Sequence, residues 1–188
     1  MNTPEAQQLA HTAAVEGMVL LKNDGVLPLS KHIRKLALIG PWANATTLMQ
    51  GNYLGVAPFL VSPVLGAQQA GFEVEYVFGT NVTTRNDTSG FPAAIAAAKR
   101  ADAIIFAGGL DETVEREEVD RLNVTWPGNQ LDLVAELERV GKPLIVAQFG
   151  GGQLDDTALK HSRAVRLHFV LDRSHLCICV LVPDLRPA

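Results

Sequence analysis

Residues 108–121 read GGLDETVEREEVDR, six carboxylates and two arginines in fourteen positions. The carboxylates are Asp111, Glu112, Glu115, Glu117, Glu118 and Asp120. Anions this close repel one another, so the crowding adds nothing to stability by itself. What it can do is chemical. Neighbouring negative charge penalises ionisation, so a carboxyl among anions can keep its proton above the free glutamate value of about 4.3. A carboxyl held in that state near neutral pH is a general acid. The competing reading is a solvated acidic surface loop, and the loop taken alone fits that reading better. Other candidates offer less. Gly108-Gly109 follows an apolar run, but the rest of a GxGxxG pattern is missing and the acidic residues would repel a pyrophosphate. His161, His168 and His175 are spaced by seven, roughly one helical face, with no compact ligand cluster around them. No metal and no other cofactor is expected.

The elements around the loop must position it. ADAIIFAGG (101–109) reads as a central buried strand leading into the acidic residues. KLALIG (35–40), FEVEYVF (72–78) and KPLIVAQFGG (142–151) read as further strands. Residues 4–22 are rich in Ala and Leu and predict a helix with Leu9, Ala13, Gly17 and Leu20 near one face. Thr3 before Pro4 is its N-cap. Ser62-Pro63 starts a short second helix, and FPAAIAAAKRA (91–101) is helical on alanine content. GNQLDLVAELERVG (128–141) predicts an amphipathic helix with Leu131, Val134, Leu137 and Val140 inward and Gly141 as its C-cap. Strands alternating with helices, with near-continuous Val/Ile/Leu runs, predict an α/β fold. Its form is a three-layer sandwich with a mostly parallel central sheet and helices on both faces. Ligands of such sheets gather beyond the C-terminal strand ends. The loops GPWAN (40–44), 110–121 and GGGQLDD (150–156) therefore share one rim.

Composition narrows the classes. With 188 residues, 47% hydrophobic and 19% charged, the chain has material for one globular domain. A net charge of −4 without a basic stripe argues against a nucleic-acid partner. No apolar run reaches the roughly 20 residues that span a bilayer, so no membrane partner is expected. Met1 is followed by NTPEAQQ, which has neither the basic start nor the apolar stretch of a signal peptide. Four Asn-x-Ser/Thr sequons, at Asn44, Asn81, Asn86 and Asn123, lean toward a secreted parent carrying glycans there. Cys177 and Cys179 form one CxC, too close to staple a fold. From about Lys160 the character changes, and only LCICVLV (176–182) looks like a strand, an edge one.

Several ordered stretches carry a resemblance. EGMVLLKNDGVLPL (16–29), LALIGPWAN (36–44), GNYLG (51–55), DRLNVTWPGNQLDLV (120–134) and PLIVAQFGGGQLDD (143–156) together resemble glycoside hydrolase family 3, and within it the fungal β-xylosidases. The likeness covers about residues 4–159 and fades beyond about 160. It implies a division into a linker helix and connection over 1–30, an incomplete α/β sandwich over 31–159, and a divergent tail over 160–188.

The resemblance also implies a chemistry. Family members place a (β/α)8-type barrel before the sandwich, and that barrel carries the nucleophilic aspartate. The missing N-terminal barrel is thus an expected partner. The sandwich supplies the general acid/base from the loop after a central strand, on a glutamate three residues before an Asp-Arg pair. Here that position is Glu117, ahead of Asp120-Arg121, with Glu115 as the alternative. On this reading the charge crowding tunes one glutamate to protonate a glycosidic oxygen. Glu112 and Glu118 are solvated, and Asp120 and Arg121 brace the loop through an ion pair. Trp42 and Tyr53 are candidates to line the sugar site, with core packing the competing role for Trp42 and for Trp126. The function implied is part of a retaining exo-β-xylosidase acting on β-1,4-linked xylo-oligosaccharides and secreted as a whole enzyme. The alternative is a non-catalytic carbohydrate-binding or partner-docking α/β module.

Overall fold

The computed structural model describes residues 2–50 and 55–169. In chain order the elements are α1 (Pro4–Glu16), β1 (Met18–Lys22), β2 (Lys35–Ile39), α2 (Pro63–Gln69), β3 (Glu73–Val77), α3 (Phe91–Arg100), β4 (Ala103–Gly109), α4 (Gln130–Glu138), β5 (Leu144–Phe149), α5 (Thr157–Lys160) and β6 (Val165–Phe169). The strands form one sheet in the order β1-β6-β5-β4-β2-β3. Every pairing from β3 to β6 is parallel, and β1 adds an antiparallel edge. The expected α/β sandwich is what forms.

Burial explains the strands. All seven residues of β4 and all six of β5 are buried, as near-continuous apolar runs require at the centre of a parallel sheet, with Gln148 the one polar side chain among them. Edge strand β3 has no buried residue and exposes Glu73 and Tyr76. Two cores flank the sheet. On one face Leu36, Leu38, Ile105 and Ile145 pack with Val64 and Ala67 of α2. On the other, Ile39, Ile104 and Phe106 pack with α3 and α4. Ala94, Ala97 and Ala98 of α3 are fully buried, and their small side chains let that helix lie close to the sheet. The caps of α1 and α2 are those expected: the Thr3 hydroxyl accepts from Ala6 N (3.2 Å), and the Ser62 hydroxyl from Leu65 N (3.2 Å).

Three expectations need correction. The first helix does not run to residue 22. It stops at Glu16, Gly17 caps it, and Met18–Lys22 leaves as a strand whose register sets Met18 opposite Phe169. Pairing with β6 outweighs local helix propensity there, and α1 itself buries no residue, with Leu9 71% exposed. Second, the inner face of α4 is Gln130, Leu133, Val134 and Leu137, while Leu131 and Val140 are only partly buried. Third, His161 caps α5 and His168 lies in β6, so the seven-residue spacing does not make one helical face. His175, the two cysteines and the run 176–182 lie outside the described residues. The sheet draws strands from all three sequence segments, with β1 before residue 31 and β6 after residue 159.

At the bottom of the sheet Asp102 holds β2 to β4. Its Oδ2 accepts from Arg34 N and Lys35 N, each at 2.9 Å, and these amides hold its carboxyl below the usual aspartate range, Lys35 N most strongly. A lowered folded pKa stabilises above the unfolded value of about 3.9, and the stabilisation is lost as pH falls through the lower folded value. Asp102→Asn is therefore expected to lower the thermal midpoint at pH 7, with the gap to the parent chain narrowing as pH falls below about 4. A constant gap across that range in paired melts would contradict this linkage.

Candidate functional site

Connections reverse at β2 and β4. The chain leaves β2 for α2 on one face and β4 for α4 on the other. Such a switch point opens a crevice beyond the C-terminal strand ends. Backbone hydrogen bonds stitch the rim loops together: Trp42 N donates to Ala107 O (3.1 Å), and Leu110 N to Phe149 O (2.9 Å). Gly109, at the end of β4, has φ 134°, and a Cβ there would stand 2.0 Å from Phe149 O. Only glycine meets both demands. Gly40 plays the same part after β2, with φ 118° and its virtual Cβ 2.2 Å from Ala107 O.

Gln130 sets the root of the acidic loop. Fully buried at the start of α4, it accepts from Gly109 N through Oε1 (2.8 Å) and donates through Nε2 to Gly109 O (3.0 Å) and Pro127 O (3.1 Å). Both free backbone groups at the end of β4 are thereby satisfied. A glutamine between Asn129 and Leu131 gives no periodicity signal, so sequence reasoning missed it.

Beyond Gly109 the loop is built in two steps. Val114 N (3.0 Å) and Glu115 N (3.2 Å) donate to Asp111 O, making one turn, while Asp111 Oδ1 accepts from Thr113 N (2.9 Å). Then Arg116 and Val119 exchange backbone bonds, N to O at 3.0 Å and 2.9 Å, and close a two-residue reverse turn. Glu117 and Glu118 are the central residues of that turn, and both are exposed. Glu118 has φ 66°, a left-handed conformation that costs a non-glycine residue about 1 kcal/mol.

One of the six carboxylates meets an arginine of the same loop. Glu115 Oε2 pairs with Arg121 Nε. The guanidinium also donates from Nη2 to Gln153 O at 2.6 Å, tying the loop to the segment after β5. Arg121 thus braces the loop as expected, but against Glu115; Asp120 is exposed. Glu112 is half-buried rather than fully solvated, and its carbonyl accepts from Arg116 Nη1 (2.7 Å). Further along, Trp126 is buried and donates from Nε1 to Asp156 Oδ1 (3.0 Å).

Trp42 corrects an expectation. It is fully buried, and its ring stacks on Phe149 at 5.2 Å between centroids and 7° between planes. The chain crosses from β2 onto β4 and drives the indole into the core, so no ring face is open to a sugar. Tyr53 lies outside the described residues. Asn44, Asn81, Asn86 and Asn123 are all exposed. Among the described residues no group of three or more His, Cys, Asp or Glu is arranged to hold a metal ion, and no helix is long and apolar enough to cross a membrane.

Known proteins share this arrangement. A family model described as the glycosyl hydrolase family 3 C-terminal domain matches residues 18–171. A probable exo-1,4-beta-xylosidase of Aspergillus terreus is 59% identical over 165 residues, which are 88% of this chain and 21% of that protein. The exo-1,4-beta-xylosidase of Emericella nidulans is 59% identical over 156 residues, 83% of this chain and 19% of that protein. The chain thus spans about a fifth of the length of the curated relatives it matches. Among solved structures, a family 3 exo-beta-xylosidase in complex with a xylobiose aziridine activity-based probe superposes with a TM-score of 0.86 at 54% identity. That match covers 89% of this chain and 22% of that one. A beta-glucosidase from Listeria innocua in complex with isofagomine gives 0.82 at 28% identity, over 93% and 24% of the two chains.

Proposed function

The chain belongs to the C-terminal domain family of glycoside hydrolase family 3, and from that premise we propose that it is the acid/base-bearing part of a longer retaining exo-β-xylosidase. Its substrate is a terminal β-1,4-linked xylose on a xylo-oligosaccharide, and Glu117 is the proton donor. The observation that carries this reading is the placement of Glu117. It stands at the exposed tip of a reverse turn on the loop that leaves the central strand β4.

A retaining hydrolase needs two carboxyls about 5–5.5 Å apart. Glu117 supplies one, and a barrel domain of the parent enzyme supplies the other as nucleophile. In the first step the Glu117 proton passes to the glycosidic oxygen as the C–O bond breaks and the nucleophile bonds the anomeric carbon. In the second, the Glu117 carboxylate takes a proton from water, whose oxygen displaces the enzyme ester. Glu115 is a poor donor because its carboxylate is engaged by Arg121. The four exposed sequon asparagines support a secreted, glycosylated parent enzyme.

With half of the carboxyl pair elsewhere, the purified 188-residue chain is expected not to turn over an aryl β-xyloside. Sustained hydrolysis by the chain, abolished by Glu117→Ala, would overturn the division of the site between two domains.

A further inference from the structure

We infer that Glu115 and Arg121 are positioning residues, a clasp that fixes the height and direction of the Glu117 turn over the rim. This deepens the proposed function and rests on Glu117 being the proton donor. Six residues apart in sequence, Glu115 and Arg121 meet side chain to side chain. Between them the Arg116–Val119 bridge forms a rung, and Glu117-Glu118 the tip. The clasp is also grounded outside the loop, through Arg121 Nη2 to Gln153 O at 2.6 Å.

Its floor is Gly152. A Cβ added there would stand 2.7 Å from Glu115 Oε1 and 2.9 Å from Arg121 Nη2, so the pair lies directly on that backbone. The Arg121 side chain is only 11% exposed, against 37% for Glu115. Arg121 Nη1 is buried and has no hydrogen-bond partner among the described residues. A guanidinium buried with one nitrogen unsatisfied is a poor way to gain stability, because desolvation offsets the attraction of the pair. It does specify geometry. The planar fork reaches a carboxylate and a carbonyl at once, which a lysine ammonium on its flexible stem does not do in fixed directions. An acid/base must meet the glycosidic oxygen within hydrogen-bond reach, and a displacement of about 1 Å can cost on the order of 10²-fold in rate.

The test uses the full-length enzyme carrying this segment, with Arg121→Met, Arg121→Lys, Glu115→Gln and Glu117→Ala compared on xylobiose and on an activated aryl xyloside. Arg121→Met is expected to lower kcat on xylobiose by on the order of 10²-fold with KM and the thermal midpoint little changed. Arg121→Lys should not restore it. Glu115→Gln, whose amide oxygen still accepts from Nε, should retain most activity and the basic limb of the pH profile. Azide should rescue Glu117→Ala, where it replaces a missing carboxylate, and not Arg121→Met, where the carboxylate remains. Wild-type kcat in Arg121→Met, or equal loss in kcat and folded fraction, overturns the clasp while leaving Glu117 in its role. Loss of the basic limb in Glu115→Gln together with azide rescue of that variant would make Glu115 the proton donor and overturn both readings. An unaffected Glu117→Ala sinks the underlying proposal, whatever Arg121 does.

Discussion

Glu117→Ala in the full-length enzyme is expected to lower kcat/KM on xylobiose by about 10²–10⁴-fold, the usual worth of general acid–base catalysis. On an aryl xyloside with a good leaving group the first chemical step should be nearly spared, because a phenolate of low basicity departs without a proton. The second step still needs a base for water, so the glycosyl-enzyme should accumulate and appear as a burst followed by slow turnover. This split by leaving group is the signature of a proton donor. A side chain that merely supports the fold would depress both substrates alike. Equal loss on both, measured at matched folded fractions, would remove Glu117 from the chemistry.

The second large effect concerns the backbone beneath the loop. Gly109→Ala is expected to destabilise the fold by about 3–5 kcal/mol, combining a disfavoured positive φ with a forced contact. Its φ of 134° suits glycine, and the new methyl would meet Phe149 O at 2.0 Å. Neither obstacle can yield easily, since Phe149 O already accepts from Leu110 N and Gln130 clamps Gly109 on both its N–H and C=O. Gly151→Ala is the matched control, with no atom within 4 Å of an added Cβ. Chemical denaturation of the two variants should separate them clearly, and similar midpoints would refute the steric account.

Local features of the sequence were enough to read β2, β4 and β5, whose buried runs are short, apolar and bounded by Gly or Pro. The same holds for the Thr3-Pro4 and Ser62-Pro63 helix starts, where a side-chain acceptor precedes a residue that needs no donor. What escaped was set by partners distant in sequence. MVLLK (18–22) follows a helix and could continue it; only its pairing with Val165–Phe169 makes it a strand. Gln130 is polar, yet it is buried because the end of β4 requires a donor and an acceptor at that point. The acidic loop announced itself by charge, but the partner of Arg121 did not, since Asp120 is its chain neighbour and Glu115 faces it only after the turn closes. Trp42 fitted a sugar-stacking ring and a core residue equally by sequence, and the crossing from β2 to β4 carries it into the core.

The antiparallel edge of the sheet has a consequence for biosynthesis. Met18 pairs with Phe169, about 150 residues later, so strand β1 leaves the ribosome long before anything exists for it to bond. Contacts that close such long loops form late, because chain entropy must be overcome first. Until Val165–Phe169 emerges, β5 is itself an open border carrying unpaired amides. Nascent chains of this protein therefore pass through a stage in which a chaperone, or a second nascent chain, can occupy the place that β6 finally takes.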